Sequence, residues 1–82
     1  MKIGEKLLKH LSKKYAPLDR IAFSFERYDG VMKTDEDGNP ILLFLGQATA
    51  TGDIRGHRFT RVLRKSAEGG ILKDHWDYKG KV

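Results

Sequence analysis

Eighty-two residues without a cysteine describe one small domain that neither a disulfide nor a thiolate-bound metal can brace. A hydrophobic content of 39% with 10% aromatics excludes a disordered chain, and no apolar run approaches the ~18 residues of a membrane span. The formal net charge of +5 is unevenly spread: residues 54–65 hold Arg55, Arg58, Arg61, Arg64 and Lys65 without an acid, whereas residues 34–53 hold Asp35, Glu36, Asp37 and Asp53 without a base.

The first element is helical. Ile3, Leu7, Leu8, Leu11 and Tyr15 recur at helix spacing, and Lys2, Glu5, Lys6, Lys9, His10, Lys13 and Lys14 fill the other side, which predicts an amphipathic helix over about 2–15. Pro17 ends it, because the residue before a proline avoids helical geometry. The same lysines interrupt any continuous secretory h-region, so the expected location is cytoplasmic, with no membrane involvement.

Alternation from Ile21 to Tyr28 predicts a strand over about 20–33, with Ile21, Phe23 and Phe25 on one face and a bulge at Asp29-Gly30. Residues 34–40 form a hairpin turn in which Gly38 takes positive φ; the later oxygen ligands of a calcium loop are missing. Residues 41–45 are apolar at every position, so the strand over about 40–51 needs cover on both faces. The stretch from 56 to 65 is ambiguous. Phe59, Val62 and Leu63 fit helix spacing, whereas Phe59-Thr60 and Val62 favour a strand that returns through a glycine hairpin at 66–70. The strand reading is preferred. A last strand follows over about 70–78, and residues 79–82 read as a loose tail.

Three groups of residues point to chemistry. His75 and Asp77 share one face of the last strand, where a carboxylate can orient an imidazole and raise its pKa for acid–base work. No nucleophile or oxyanion donor accompanies them, and isolated surface pairs of this type contribute little. Arg55, Arg58, Arg61, Arg64 and Lys65, near Tyr28, Trp76 and Tyr78, supply the cations and ring faces that single-stranded nucleic acid requires. On a strand, however, Arg55 and Arg61 face away from Arg58 and Arg64. The third group is apolar. One helix covers one sheet face only, which leaves Tyr28, Leu42, Phe44, Arg58, Trp76 and Tyr78 as a ligand or partner face. No spacing marks a metal site or a cofactor.

The run from Gly70 to Asp77, with Ile71 and then His75-Trp76-Asp77, resembles the last strand of nuclear-transport-factor-2-like proteins, in particular the polyketide-cyclase-like branch. The resemblance covers the last third of the chain. It implies a cystatin-like fold, dimers that pair through their sheets, and an acid–base role for the terminal acidic residue, here Asp77 beside His75. The chain lacks room for the extra helices that close the family's pocket.

Together these features predict a single α+β domain over 1–82, with the N-terminal amphipathic helix packed on a four-stranded antiparallel sheet as a cystatin-like two-layer sandwich. The expected function is non-catalytic binding of a small ligand or protein partner on the sheet face, by a homodimer. The alternatives are a nucleic-acid-binding module that uses residues 55–65 and a small lyase, isomerase or cyclase that uses His75 and Asp77.

Overall fold

A seven-residue helix cannot hold itself together in water, because too few intrahelical bonds offset the cost of its nucleus. Helix α1 (Glu5–Leu11) is therefore held by what it covers. Its buried side chains Leu7 and Leu11 pack on Met32, Leu43, Leu45 and Phe59, with Ile3, Ile21, Phe23 and Trp76 around them. Each fully buried apolar side chain of this size contributes about 1.5–3 kcal/mol. The computed structural model describes residues 2–82.

Five strands follow: β1 (Arg20–Phe25), β2 (Tyr28–Thr34), β3 (Pro40–Ala48), β4 (Ile54–Lys65) and β5 (Ile71–Lys81). They form one antiparallel sheet in the order β1-β2-β3-β4-β5, so each strand lies beside its sequence neighbour. The β4–β5 hairpin joins the two longest strands, and its far end exposes Ile71 and Leu72.

This mostly-sheet fold corrects the expected cystatin-like sandwich of four strands and a long helix. The first departure lies in residues 20–33, which are a hairpin and not one bulged strand. Phe25 pairs with Tyr28 across a two-residue turn, and Glu26 takes φ of 53° there without the help of glycine. The glycine that suggested a bulge has another role. Gly30 sits opposite Phe23, and a Cβ at Gly30 would meet Cζ of that ring at 2.5 Å. The phenyl group lies over the bare backbone of its neighbour.

The second departure is the helix, which stops at Leu11 and does not continue to Tyr15. Residues 12–19 instead run against the β2–β3 turn. The Tyr15 amide donates to the Gly38 carbonyl at 2.9 Å, and the Leu18 amide donates to the Asp35 carbonyl at 2.9 Å. Thr34, buried on β2, donates through Oγ1 to the Ala16 carbonyl at 2.6 Å and accepts from the Asp19 amide at 2.9 Å. These bonds satisfy buried polar groups that a longer helix would leave unpaired.

The tail is also more ordered than expected. Lys79–Lys81 belong to β5, and the Val82 amide donates to the Gly56 carbonyl at 2.9 Å. In the middle of the sheet Gly46 and Gly56 are directly paired, and a side chain on either would strike the backbone of the other strand.

Strand alternation then assigns the faces. Met32, Leu43, Leu45 and Phe59 lie under α1. Val31, Leu42, Phe44, Arg58, Thr60 and Val62 lie on the opposite face, which no helix covers.

Candidate functional site

The side of the sheet that carries α1 has a groove between the helix and β5. Its apolar lining comes from Ile3, Leu8, Phe59, Trp76 and Tyr78; Lys2, Ser12 and Asp74 supply the polar part, and its volume is about 510 Å³. One residue on from Leu7 around the helix, Leu8 lies at the edge of the buried stripe and is 44% exposed over this groove, while Leu7 and Leu11 are buried. Tyr78 is 42% exposed. Its ring packs 5.2 Å from Phe59, and its hydroxyl lies 2.8 Å from His57 Nδ1.

Arg61 fixes the wall of the groove. Nε and Nη2 donate to the two carboxylate oxygens of Asp74 at 2.6 and 2.7 Å. Nη1 donates to the carbonyls of Leu11 and Pro40 at 3.3 and 3.2 Å, and the guanidinium carbon lies 5.7 Å from the Trp76 ring centre. One side chain, 7% exposed, thus ties the end of α1 to β3, β4 and β5. The bidentate hydrogen bond from Arg61 holds the Asp74 carboxyl below the usual aspartate range, against the opposing effect of burial.

The basic residues of β4 do not form one patch. The segment is a strand, so alternation separates them. Arg61 is consumed by its structural bonds, and Lys65 pairs with Asp37 at 2.6 Å. The Asp37 hydrogen bond raises the Lys65 pKa. Arg55 pairs with Gln47 on the side of Leu45 and His57, whereas Arg58 and Arg64 lie on the uncovered face. Among the described residues neither Arg55, Arg58 nor Arg64 has a carboxylate partner.

The apolar face expected from the sequence is split in the same way. Tyr28, Trp76 and Tyr78 lie on the side of α1, and only Trp76 and Tyr78 reach the groove. Leu42, Phe44 and Arg58 lie on the other side of the sheet, where Phe44 and Arg58 are direct cross-strand partners. His75 and Asp77 also belong to the uncovered side: His75 Nε2 lies 2.7 Å from Asp77 Oδ1, with the side chains 59% and 37% exposed.

Ile3, Leu8 and Phe59 of the groove were missed as site residues because their spacing marks them as core. Leu7, Leu8 and Leu11, at i, i+1 and i+4, fit one ordinary apolar face, so no spacing singles out Leu8. Among the described residues no group of side chains could hold a metal ion, and no helix is long and apolar enough to cross a membrane. Compared with protein-family models, curated proteins and solved structures, the chain has no match.

Proposed function

We propose that this chain is a small binding module whose groove between α1 and β5 holds a ligand with an apolar or aromatic group. The observation that carries this reading is the exposure of Leu8 and Tyr78 beside Trp76 in a groove of about 510 Å³. Apolar side chains that line one concave groove form the kind of contiguous surface that marks a ligand site. The volume falls in the ~300–1,000 Å³ range of small-molecule sites. Lys2 at the groove supplies a charge that would orient a polar end.

Rigidity supports the same reading. Trp76 lies beside the Arg61 guanidinium, which four hydrogen bonds hold in place, so a ligand would meet a surface that is already ordered. An acid–base reading would rest on His75 and Asp77, but that pair is solvent-exposed and lacks a wall that would keep water from a reacting atom.

The test is a saturable titration with a neutral aromatic dye such as Nile red. One dye per chain is expected to bind, and Leu8→Lys should abolish binding by placing a charge in the groove. Leu72→Lys at the hairpin end, where Leu72 is 73% exposed, should leave it unchanged. Equal binding to both variants would refute the groove as the site.

A further inference from the structure

We propose that the uncovered face of the sheet binds single-stranded nucleic acid, with one base against Phe44 and the backbone along Arg58 and Arg64. This surface is separate from the groove and does not depend on it.

A shallow depression of about 280 Å³ lies on that face, lined by Arg20, Val31, Lys33, Phe44, Ile54 and Val82, with Asp53 its one acid. The aromatic floor lies beside cations on both sides. Phe44 is paired directly with Arg58 on β4 and Val31 on β2, and Lys33 lies one pair along β2. Arg20 is held in place by donation from Nη2 to the Gly52 carbonyl at 2.8 Å, which leaves its charge uncompensated. A ring face set among guanidinium and ammonium groups is what an unstacked base and its phosphates require.

The cations continue away from this depression. Arg64 follows Arg58 on the same face six residues along β4, a distance of ~20 Å at ~3.3 Å per residue. Lys73 is its cross-strand partner. Val62 and Thr60 lie between the two arginines, so the track is apolar and polar by turns and carries no acid on β4. Three acids lie on this side against the cations: Asp77, opposite Thr60, contacts His75, Asp29 accepts the Ala48 amide at 2.9 Å, and Asp53 accepts from the Thr51 hydroxyl at 3.1 Å. A ~20 Å track accommodates several nucleotides, within the ~4–16 of sheet-based single-strand sites.

Charge selects this occupant over two others. A twofold dimer through this face would press two copies of the same cation-rich surface together, and like charge opposes such pairing. A duplex offers phosphates but hides its base faces, leaving Phe44, Leu42 and Val62 without a partner.

The experiment is fluorescence anisotropy of a labelled single strand of about twelve nucleotides. If Lys33, Arg58, Arg64 and Lys73 each neutralise a phosphate, the log–log salt slope is about −2.8, or about 50-fold weaker binding at 200 mM than at 50 mM salt. Arg58→Ala with Arg64→Ala should halve that slope, whereas Arg55→Ala, on the other side of the sheet, should leave it unchanged. Phe44→Leu, which keeps the face apolar, should weaken binding while leaving the slope intact. Absence of binding at 50 mM salt overturns the proposal, as does equal loss in the Arg55 variant. Equal displacement by poly-glutamate at matched charge also overturns it, because the face would then be reading charge alone. Leu8→Lys separates this proposal from the groove: it should abolish dye binding and leave the oligonucleotide bound.

Discussion

The two faces of the sheet are built from the same strands and by the same alternation, yet they differ in what closes them. On the side of α1, Leu43 and Leu45 are fully buried beneath Leu7 and Leu11. On the other side Leu42 and Phe44, their immediate neighbours, have no layer above them and are only partly buried. Stability therefore belongs mainly to one face, and the other is free to carry charge. The difference explains how a run that is apolar at every position can lie in a two-layer protein: half of it is core and half of it is surface.

That contrast can be broken by substitutions at adjacent positions. The largest effect is expected from Leu43→Ala, which should cost about 3–5 kcal/mol because the cavity it opens lies in the packed layer. Leu42→Ala should cost about 1 kcal/mol, since its side chain is only partly buried. Urea unfolding of the two variants measures the gap, and similar losses would mean that the uncovered face is occupied in solution.

Next in size is the contrast between two arginines of one strand. Arg61→Ala should lose about 2 kcal/mol by leaving the Leu11 and Pro40 carbonyls without their donor and removing the partner of Asp74. Arg61→Lys should recover little of it, because an ammonium cannot donate in two directions in the guanidinium plane. Arg64→Ala should stay within about 0.5 kcal/mol of the parent protein. Chemical denaturation of all three variants distinguishes a structural from a solvated cation.

The Arg61–Asp74 pair also predicts a pH dependence. The folded-state pKa of Asp74 is lowered by the hydrogen bond from Arg61, so its contribution is fully present above the ordinary aspartate value of about 3.9. It is lost as pH falls through the depressed folded-state value. The stability difference between the parent protein and Asp74→Asn should therefore be constant at neutral pH and close under acid conditions. A difference that grew with acidity would contradict the pairing.

The smallest effect is expected at the β1–β2 turn. Glu26 adopts a left-handed conformation that side chains disfavour by about 1–2 kcal/mol. Glu26→Gly should return up to about 1 kcal/mol of this, after the glycine's own entropy cost, and raise Tm by a few degrees.

This turn also marks where the sequence stops being legible. Gly38 is at φ of 83° in the expected hairpin, and the 54–65 strand follows from its β-branched and aromatic residues. Between Phe25 and Tyr28 the turn has none of the residues that normally announce one, while Asp29-Gly30, which does, lies inside β2. Helix length was misread for a different reason. The apolar spacing continues to Tyr15, but the bonds that decide the conformation of residues 12–19 come from Thr34, Asp35 and Gly38, distant in sequence. The pairing of His75 with Asp77 was visible in period-two spacing alone. The separation of Trp76 and Tyr78 from Phe44 and Arg58 was not, because it depends on how β4 registers against both of its neighbours.

The central claim, that two working surfaces lie on opposite sides of one sheet, is tested most directly by amide chemical-shift mapping with two ligands in turn. A neutral aromatic compound should shift Leu8, Trp76 and Tyr78, and a short single-stranded oligonucleotide should shift Lys33, Phe44, Arg58 and Arg64, with little overlap. Both ligands shifting the same residues, or the oligonucleotide perturbing the groove while leaving Phe44 and Arg58 unmoved, would contradict it.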